Sequence, residues 1–296
     1  MKTFIITGAT QGLGLATAQS LALSKEHRVV LAVRDTARGQ AVAKAMGSNV
    51  EALTLDLSSL AQVEQFAAAW KEPIAGLINN AGVQIVDGTR RTADGYEETF
   101  AVNHLAALAL TMGLLPYLNG GRVLFIGSGT HNPNNTSAKI FGFRGARFTT
   151  IEELARGDGE AKSPRQLGMD RYATSKFLNM VTAKELARRY PAEQTTFFTL
   201  DPGLMAGTGL ARTAPAFVQM LWSSVLPILA RAMPHTSTTE RSGAAAAWLM
   251  TAENLLSRTG EIFSYERVPS TRVWDKANNP EVGRRVLDES LALLKR

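Results

Sequence analysis

Short apolar runs rich in β-branched residues alternate along this chain with longer stretches of helical spacing. That alternation constrains the fold more than any single motif. The runs Thr3–Thr7, Arg28–Val33, Val50–Leu55, Ala75–Asn79, Arg122–Gly127, Thr195–Leu200 and Gly260–Ser264 read as strands. Between most of them lie stretches with helical spacing, such as Leu13–Ser24, Leu60–Trp70 and Phe100–Tyr117. The pattern predicts an α/β fold: a doubly wound parallel sheet of about seven strands with helices on both faces. Runs such as Phe4-Ile5-Ile6 and Val29-Val30-Leu31-Ala32-Val33 are apolar at every position, as strands buried on both faces must be. With 296 residues, 45% of them hydrophobic, the chain can bury one large core. No internal repeat or interdomain linker stands out, so residues 1–296 are expected to form a single domain.

Two stretches break the rhythm. His131 to Met169 is rich in Asn, Gly, Arg and Thr and reads as an insertion after the fifth strand. Ala206 to Thr239 follows the sixth strand and reads as a region covering the substrate. Within it, Pro215–Pro234 is about long enough to span a bilayer. Gln219, Ser223, Ser224, Pro227 and Arg231 interrupt it, so the expectation is a lid helix or a surface-lying one, with peripheral membrane contact left open and no span.

Lys and Arg total 32 against 26 Asp and Glu, a net charge of +6. Such an excess suits nucleic acid, an anionic membrane surface or a phosphorylated cofactor. No run of like charges exceeds a pair, which argues against nucleic acid as a partner. The chain has no cysteine, so disulfides, thiolate metal sites and a cysteine nucleophile are excluded, and a reducing cytoplasm is compatible. The first apolar run begins at Thr3, which leaves no room for a signal peptide; a cytoplasmic location is the expectation.

Three motifs carry chemistry. After the first strand comes Thr7-Gly8-Ala9-Thr10-Gln11-Gly12-Leu13-Gly14, and then a helix. Glycines there allow a tight turn and close backbone approach to a pyrophosphate, and the helix start offers N–H donors and a positive dipole end. Asn79-Asn80-Ala81-Gly82 ends the fourth strand. In Tyr172-Ala173-Thr174-Ser175-Lys176 the tyrosine and lysine share one face at the expected start of a helix. A nearby ammonium would stabilise the phenolate, drawing the tyrosine below its ordinary value of about 10.

The spacing TGxxxGxG, the Asn-Asn-Ala-Gly segment and Asp201-Pro202-Gly203 together resemble the short-chain dehydrogenase/reductase family, from Thr3 to about Ser264. The resemblance implies a Rossmann fold, a nicotinamide cofactor and a catalytic set of Asn103, Ser128, Tyr172 and Lys176. Tyr172 would be the general acid–base, Ser128 would hydrogen-bond the carbonyl oxygen, Lys176 would hold the nicotinamide ribose, and Asn103 would position a water. No metal is required. The cofactor would be met by Gly8, Thr10, Gln11, Gly12, Leu13 and Gly14, by Asp56 and Leu57 after the third strand, and by Asn80, Ala81 and Gly82. Tyr172, Lys176, Pro202, Gly203 and Thr208 complete that set. Asp56 has the alternative reading of a helix N-terminal acid.

In this fold an acid about 20 positions past the glycines selects NAD. Here Val33 and Arg34 stand there, and a guanidinium pairs well with a 2′-phosphate. Arg38 adds a second positive group, so NADP(H) is expected. Asp35 would serve NAD if the register slipped by two.

The 44-residue step from Ser128 to Tyr172 exceeds the common family form. It resembles the branch of retinol dehydrogenases and protochlorophyllide reductases, as do Asn103-His104-Leu105 and Ser175-Lys176-Phe177-Leu178-Asn179. The latter enzymes carry a cysteine where this chain has Leu178. Phe217, Leu221, Trp222, Val225, Leu226 and Leu229 would cover an apolar substrate. The expected activity is interconversion of a hydrophobic carbonyl and its alcohol. A cofactor-binding regulator without chemistry, and a relative of protochlorophyllide reductase reducing a C=C bond, are the alternatives. His131 is read as a loop residue. Homo-oligomers are common in the family.

Overall fold

The computed structural model describes residues 1–205 and 235–295. Seven parallel strands form its central sheet: β1 (Lys2–Thr7), β2 (His27–Val33), β3 (Val50–Thr54), β4 (Gly76–Asn79), β5 (Gly121–Ile126), β6 (Thr195–Asp201) and, at one edge, Ile262–Ser264. The spatial order is β3-β2-β1-β4-β5-β6 and then that edge strand, which is β9 in chain order. Leu204–Met205 (β7) and Thr236–Ser237 (β8) make a small parallel pair of their own. The sequence-predicted strands differ from these bounds by only a residue or two.

The central strands carry consecutive apolar residues because they serve two cores. Phe4, Ile6, Val29, Leu31, Leu124, Phe198 and Phe263 face one side. There they pack with Leu13 and Leu21 of α1 (Gly12–Ala22) and with Leu249 and Met250 of the helix Thr239–Thr251. Ile5, Val30, Ala32, Leu77, Val123, Phe125 and Phe197 face the other. Their partners include Val63 and Ala67 of α3 (Leu60–Ala69) and Leu110 and Leu114 of α5 (Ala106–Leu114). Neighbours in a strand thus point to opposite layers, and each full burial contributes about 1.5–3 kcal/mol.

The stretch before α5 is irregular. A single turn, α4 (Glu98–Phe100), runs into a π-helical segment at Ala101–Leu105, which displaces Asn103 from ordinary helical register. The whole run Glu98–Tyr117 is long and apolar enough to cross a membrane, but 72% of its apolar window is buried, as suits a core helix.

The insertion after β5 is shorter than expected. It holds α6 (Thr136–Ile140) and α7 (Ile151–Arg156), the latter opened by a capping box between Thr150 and Glu153. At Pro164 a 26-residue helix, α8 (Pro164–Arg189), begins under the cap of Ser163. Tyr172 therefore lies well inside a helix rather than at its start. Thr208, and the expected lid with Phe217, Leu221, Trp222, Val225, Leu226 and Leu229, lie outside the described residues. The C-terminal helix Pro280–Leu293 packs on α7 and α8.

Candidate active site

The strand order reverses between β1 and β4, and the carboxyl ends of the two strands open a crevice there. Gly8 and Gly12 both adopt left-handed backbone, at φ +67° and +56°. A Cβ on Gly14 would stand 2.4 Å from Asn80 Nδ2 and 2.7 Å from the Gly8 carbonyl oxygen. Above Gly12 a Cβ would meet nothing within 4 Å, so the turn is closed beneath and open above. No side chain caps α1 at Gln11, which leaves its N-terminal donors for a ligand. Leu13 has its side chain in the core, so only its backbone can serve that ligand.

Asn80 holds this turn rather than pointing away from it. Its Nδ2 donates to the carbonyls of Thr7 (2.8 Å) and Gly8 (3.2 Å). In return the Thr7 hydroxyl accepts from the backbone N–H groups of Asn80 and Ala81, each at 3.0 Å. Thr7, absent from the sequence-predicted set, thereby ties β1 to β4 at the crevice; its place at the end of the strand was the available signal.

β2 ends at Val33, and Arg34 follows exposed. The Asp35 carboxylate caps α2 (Thr36–Met46) by accepting from Arg38 N at 3.0 Å. Arg38 turns back to the glycines, its Nη2 donating to Gln11 Oε1 at 3.0 Å. Asp56 binds Ser58 through the backbone N–H (2.9 Å) and the hydroxyl (2.8 Å), while Ser59 caps α3; the alternative of Asp56 as the helix acid is not what the structure shows. Leu57 is buried in the core below it.

The expected catalytic residues come together at the ends of β4 and β5. Asn103 donates from Nδ2 to the Val83 carbonyl (2.9 Å) and Ser175 Oγ (3.0 Å), and its Oδ1 accepts from Val83 N (2.7 Å). Its side chain thus braces the Gly82–Val83 segment against α8. A Cβ on Gly82 would lie 3.3 Å from both Asn103 Oδ1 and Lys176 Nζ, so only glycine lets these two groups approach the turn without crowding. Lys176 is 3% exposed and donates to the Ile126 carbonyl at 3.2 Å; its Nζ lies 5.6 Å from the Tyr172 ring centroid. Ser128 accepts from the Thr130 hydroxyl at 3.0 Å, and its side chain stands near enough to the Tyr172 phenol to oppose the rise in its pKa.

Electrostatics correct the expectation for Tyr172. Burial pushes its phenol up to about 12; the Ser128 side chain opposes this, and the charge of Asp201 adds to it. The ammonium of Lys176 does not draw it down, because it is directed at Ile126 and is itself brought down to about 8 by burial. The phenol is accordingly protonated throughout the neutral range.

Pro202 receives the Ser242 hydroxyl on its carbonyl (2.7 Å), and Gly203, at φ +74°, sits where a Cβ would strike the Tyr265 ring at 2.6 Å. His131 is 1% exposed: Nδ1 lies 2.6 Å from the Ser128 carbonyl, and Nε2 receives Trp274 N at 3.1 Å. It is a buried clamp. Leu178 belongs to a core cluster with Phe100, Leu105 and Phe177, so the residue at that position does not form a wall of this site. Ser175, Asp201 and Arg272, also missed in the sequence, are part of the same neighbourhood.

The family model of short chain dehydrogenases matches residues 2–140. A chloroplastic protochlorophyllide reductase of Daucus carota is 30% identical over 313 residues, covering 98% of this chain and 77% of its own. Protochlorophyllide reductase A of Hordeum vulgare is 31% identical over 316 residues, covering 98% and 79%. The crystal structure of an uncharacterised protein from Mycobacterium paratuberculosis superposes with a TM-score of 0.75 at 27% identity, covering 100% of this chain and 94% of that one.

The burial of Lys176 predicts a stability effect. An unfolded lysine titrates near 10.5 and this one near 8, so below pH 8 the folded state carries a desolvated ammonium that costs on the order of 3 kcal/mol. Stability from this group rises with pH between 8 and 10.5, where the unfolded chain holds the extra proton. Without cofactor, Lys176→Met is expected to melt several degrees above wild type at pH 7, with the gap closing by pH 10. Thermal unfolding at the two pH values checks this, and a variant that melts lower at pH 7 would contradict it.

Proposed function

The chain belongs to the short-chain dehydrogenase/reductase family and is an oxidoreductase of that type, and from this premise we propose that it interconverts a hydrophobic carbonyl compound and its alcohol with NADP(H). The observation that carries the reading is the pairing of two hydroxyls, Ser128 and Tyr172, beside a buried lysine. A carbonyl oxygen gaining negative charge is stabilised by such donors and takes its proton from one of them.

The residues fit a dinucleotide. The open space above Gly12, the uncapped start of α1 and the Asn80-braced turn suit its pyrophosphate. Arg34 and Arg38 suit a 2′-phosphate, while Asp35, engaged as the cap of α2, is turned from the ribose role that would favour NAD. Gly82, Pro202 and Gly203 would flank the nicotinamide end. Bound there, NADPH would supply the hydride. Ser128 would orient the carbonyl oxygen, Tyr172 would deliver its proton to that oxygen, and Lys176 would leave the Ile126 carbonyl to hold the ribose hydroxyls. Asn103 keeps Gly82 and Ser175 in place. A phenol held protonated at neutral pH has the proton to give to the carbonyl oxygen.

A second reading, reduction of a C=C bond, is favoured by the name that the relatives from Daucus carota and Hordeum vulgare share. The buried place of Leu178 removes the sequence argument against it. The two-hydroxyl arrangement supports C=O because both donors suit an oxygen that takes up negative charge directly.

Tyr172→Phe is expected to lower the rate of NADPH oxidation over a panel of hydrophobic aldehydes and ketones by at least 100-fold. Equal rates for both proteins would refute the proton-donor role. The Arg34→Ala/Arg38→Ala double variant is expected to lose at least tenfold in KM preference for NADPH over NADH. An unchanged preference in a steady-state comparison would overturn the cofactor assignment.

A further inference from the structure

Beneath Ser128 lies a buried charge cluster that the proposed chemistry does not use. Asp201, at the end of β6, is 1% exposed. Its Oδ1 accepts from two backbone N–H groups at 3.1 Å each, Gly129 on the turn after β5 and Gly203 on the turn after β6. Its Oδ2 lies 2.9 Å from Nη2 of Arg272, whose side chain is 16% exposed. Arg272 comes from the segment that follows β9, far from both turns in sequence. The same segment is stitched to the Ser128 turn at two more points. Asn132 Nδ2 donates to the Arg272 carbonyl at 2.9 Å, and His131 bridges the Ser128 carbonyl and Trp274 N. Asn135 Nδ2 completes the turn by donating to the Gly129 carbonyl at 2.8 Å.

We propose that the Asp201–Arg272 ion pair is a positioning device for the reaction, fixing the Ser128 turn and the Gly203 turn to one anchor so that carbonyl and nicotinamide are held in register. Two backbone N–H groups on different turns share one carboxylate oxygen, so a movement of either is transmitted to the other. The two N–H bonds to the carboxylate are charge-assisted and stronger than neutral ones, and a buried carboxylate that lost the charge of its guanidinium partner would be left uncompensated. A Cβ on Gly129 would stand 2.8 Å from Asn135 Nδ2 and 3.4 Å from Asp201 Oδ2, so the turn has little room to relax toward the cluster. The charge of the Asp201 carboxylate also reaches Tyr172 and Tyr265, with Lys176 on the helix of Tyr172, His131 on the turn after β5 and Arg272 beside Asp201 among the other charged or titratable neighbours. Asp170, two residues before Tyr172 on α8, is paired with Arg144. The anchor thus favours the protonated phenol as well as the position of the serine.

This inference rests on the reading of Ser128 and Tyr172 as the reacting pair, and its test separates the two. Arg272→Met and Arg272→Lys are compared with wild type in three measurements on the full chain. These are backbone amide exchange at Gly129 and Gly203, NADPH binding by its fluorescence, and kcat and KM with the best carbonyl of the panel. For Arg272→Met, amide exchange at both glycines is expected to rise at least tenfold and kcat to fall at least tenfold, with NADPH Kd and carbonyl KM within twofold. Arg272→Lys, which keeps the charge, is expected to recover most of both. Unchanged exchange would overturn the anchor, and faster exchange with unchanged kcat would overturn its role in the reaction. Loss through KM or Kd alone, or no recovery with lysine, would reduce it to a packing contact. Should Arg272→Met fail to fold, Asp201→Asn, which retains an oxygen for Gly129 and Gly203 but no charge for Arg272, reads the same outcomes. A wild type that turns over no faster than Tyr172→Phe would defeat the underlying reading, while the exchange data would still report on the anchor.

Discussion

The site depends on one costly arrangement: a lysine ammonium out of water, donating to the carbonyl of Ile126, beside a buried phenol. Burial opposes charge on both groups, so the phenol stays neutral and the ammonium becomes easier to deprotonate. Such a pair survives only where the surrounding structure holds it. α8 supplies the helical spacing, the end of β5 supplies the carbonyl, and Gly82 leaves room for Nζ to approach. Stability is given up locally for a group poised to engage something polar, a common state of affairs in active sites.

The rest of the crevice is organised to keep that pair in place. The Thr7 hydroxyl and the Asn80 amide tie the tips of β1 and β4, so the glycine turn is fixed from below while it stays open above. Asn103, displaced by the π-helical segment, braces Val83 and Ser175 and so connects the end of β4 to the helix of Tyr172 and Lys176. Asp201 ties the next two strand ends together. Each anchor includes a polar side chain bonded to backbone, which fixes position without asking two flexible chains to find each other.

The sheet was legible in the sequence because every strand is apolar at consecutive positions, which leaves burial on both faces as the only economical arrangement. The glycine turn was legible because positive φ and close approach restrict residue type. The step from Ser128 to Tyr172 was misread at its end: Ser163-Pro164 opens a helix whose first turns are polar and so resemble loop. Burial of individual side chains was not legible either. Leu13, Leu57 and Leu178 lie near motif residues yet point into the core, and the phenol's upward shift follows from desolvation that no spacing reports. Arg272 had no local signal, since its partner is brought to it only by the parallel pairing of β6 with β9.

The proposed convergence of two hydroxyls on a carbonyl oxygen is tested most directly by a hydrophobic α,β-unsaturated ketone or aldehyde, which offers both bonds to the same site. With NADPH and wild-type protein, chromatography and mass spectrometry of the product should show the allylic alcohol, formed by reduction at C=O. A product that is the saturated ketone or aldehyde, reduced at C=C, would contradict the account and move the chemistry to that of the relatives' name.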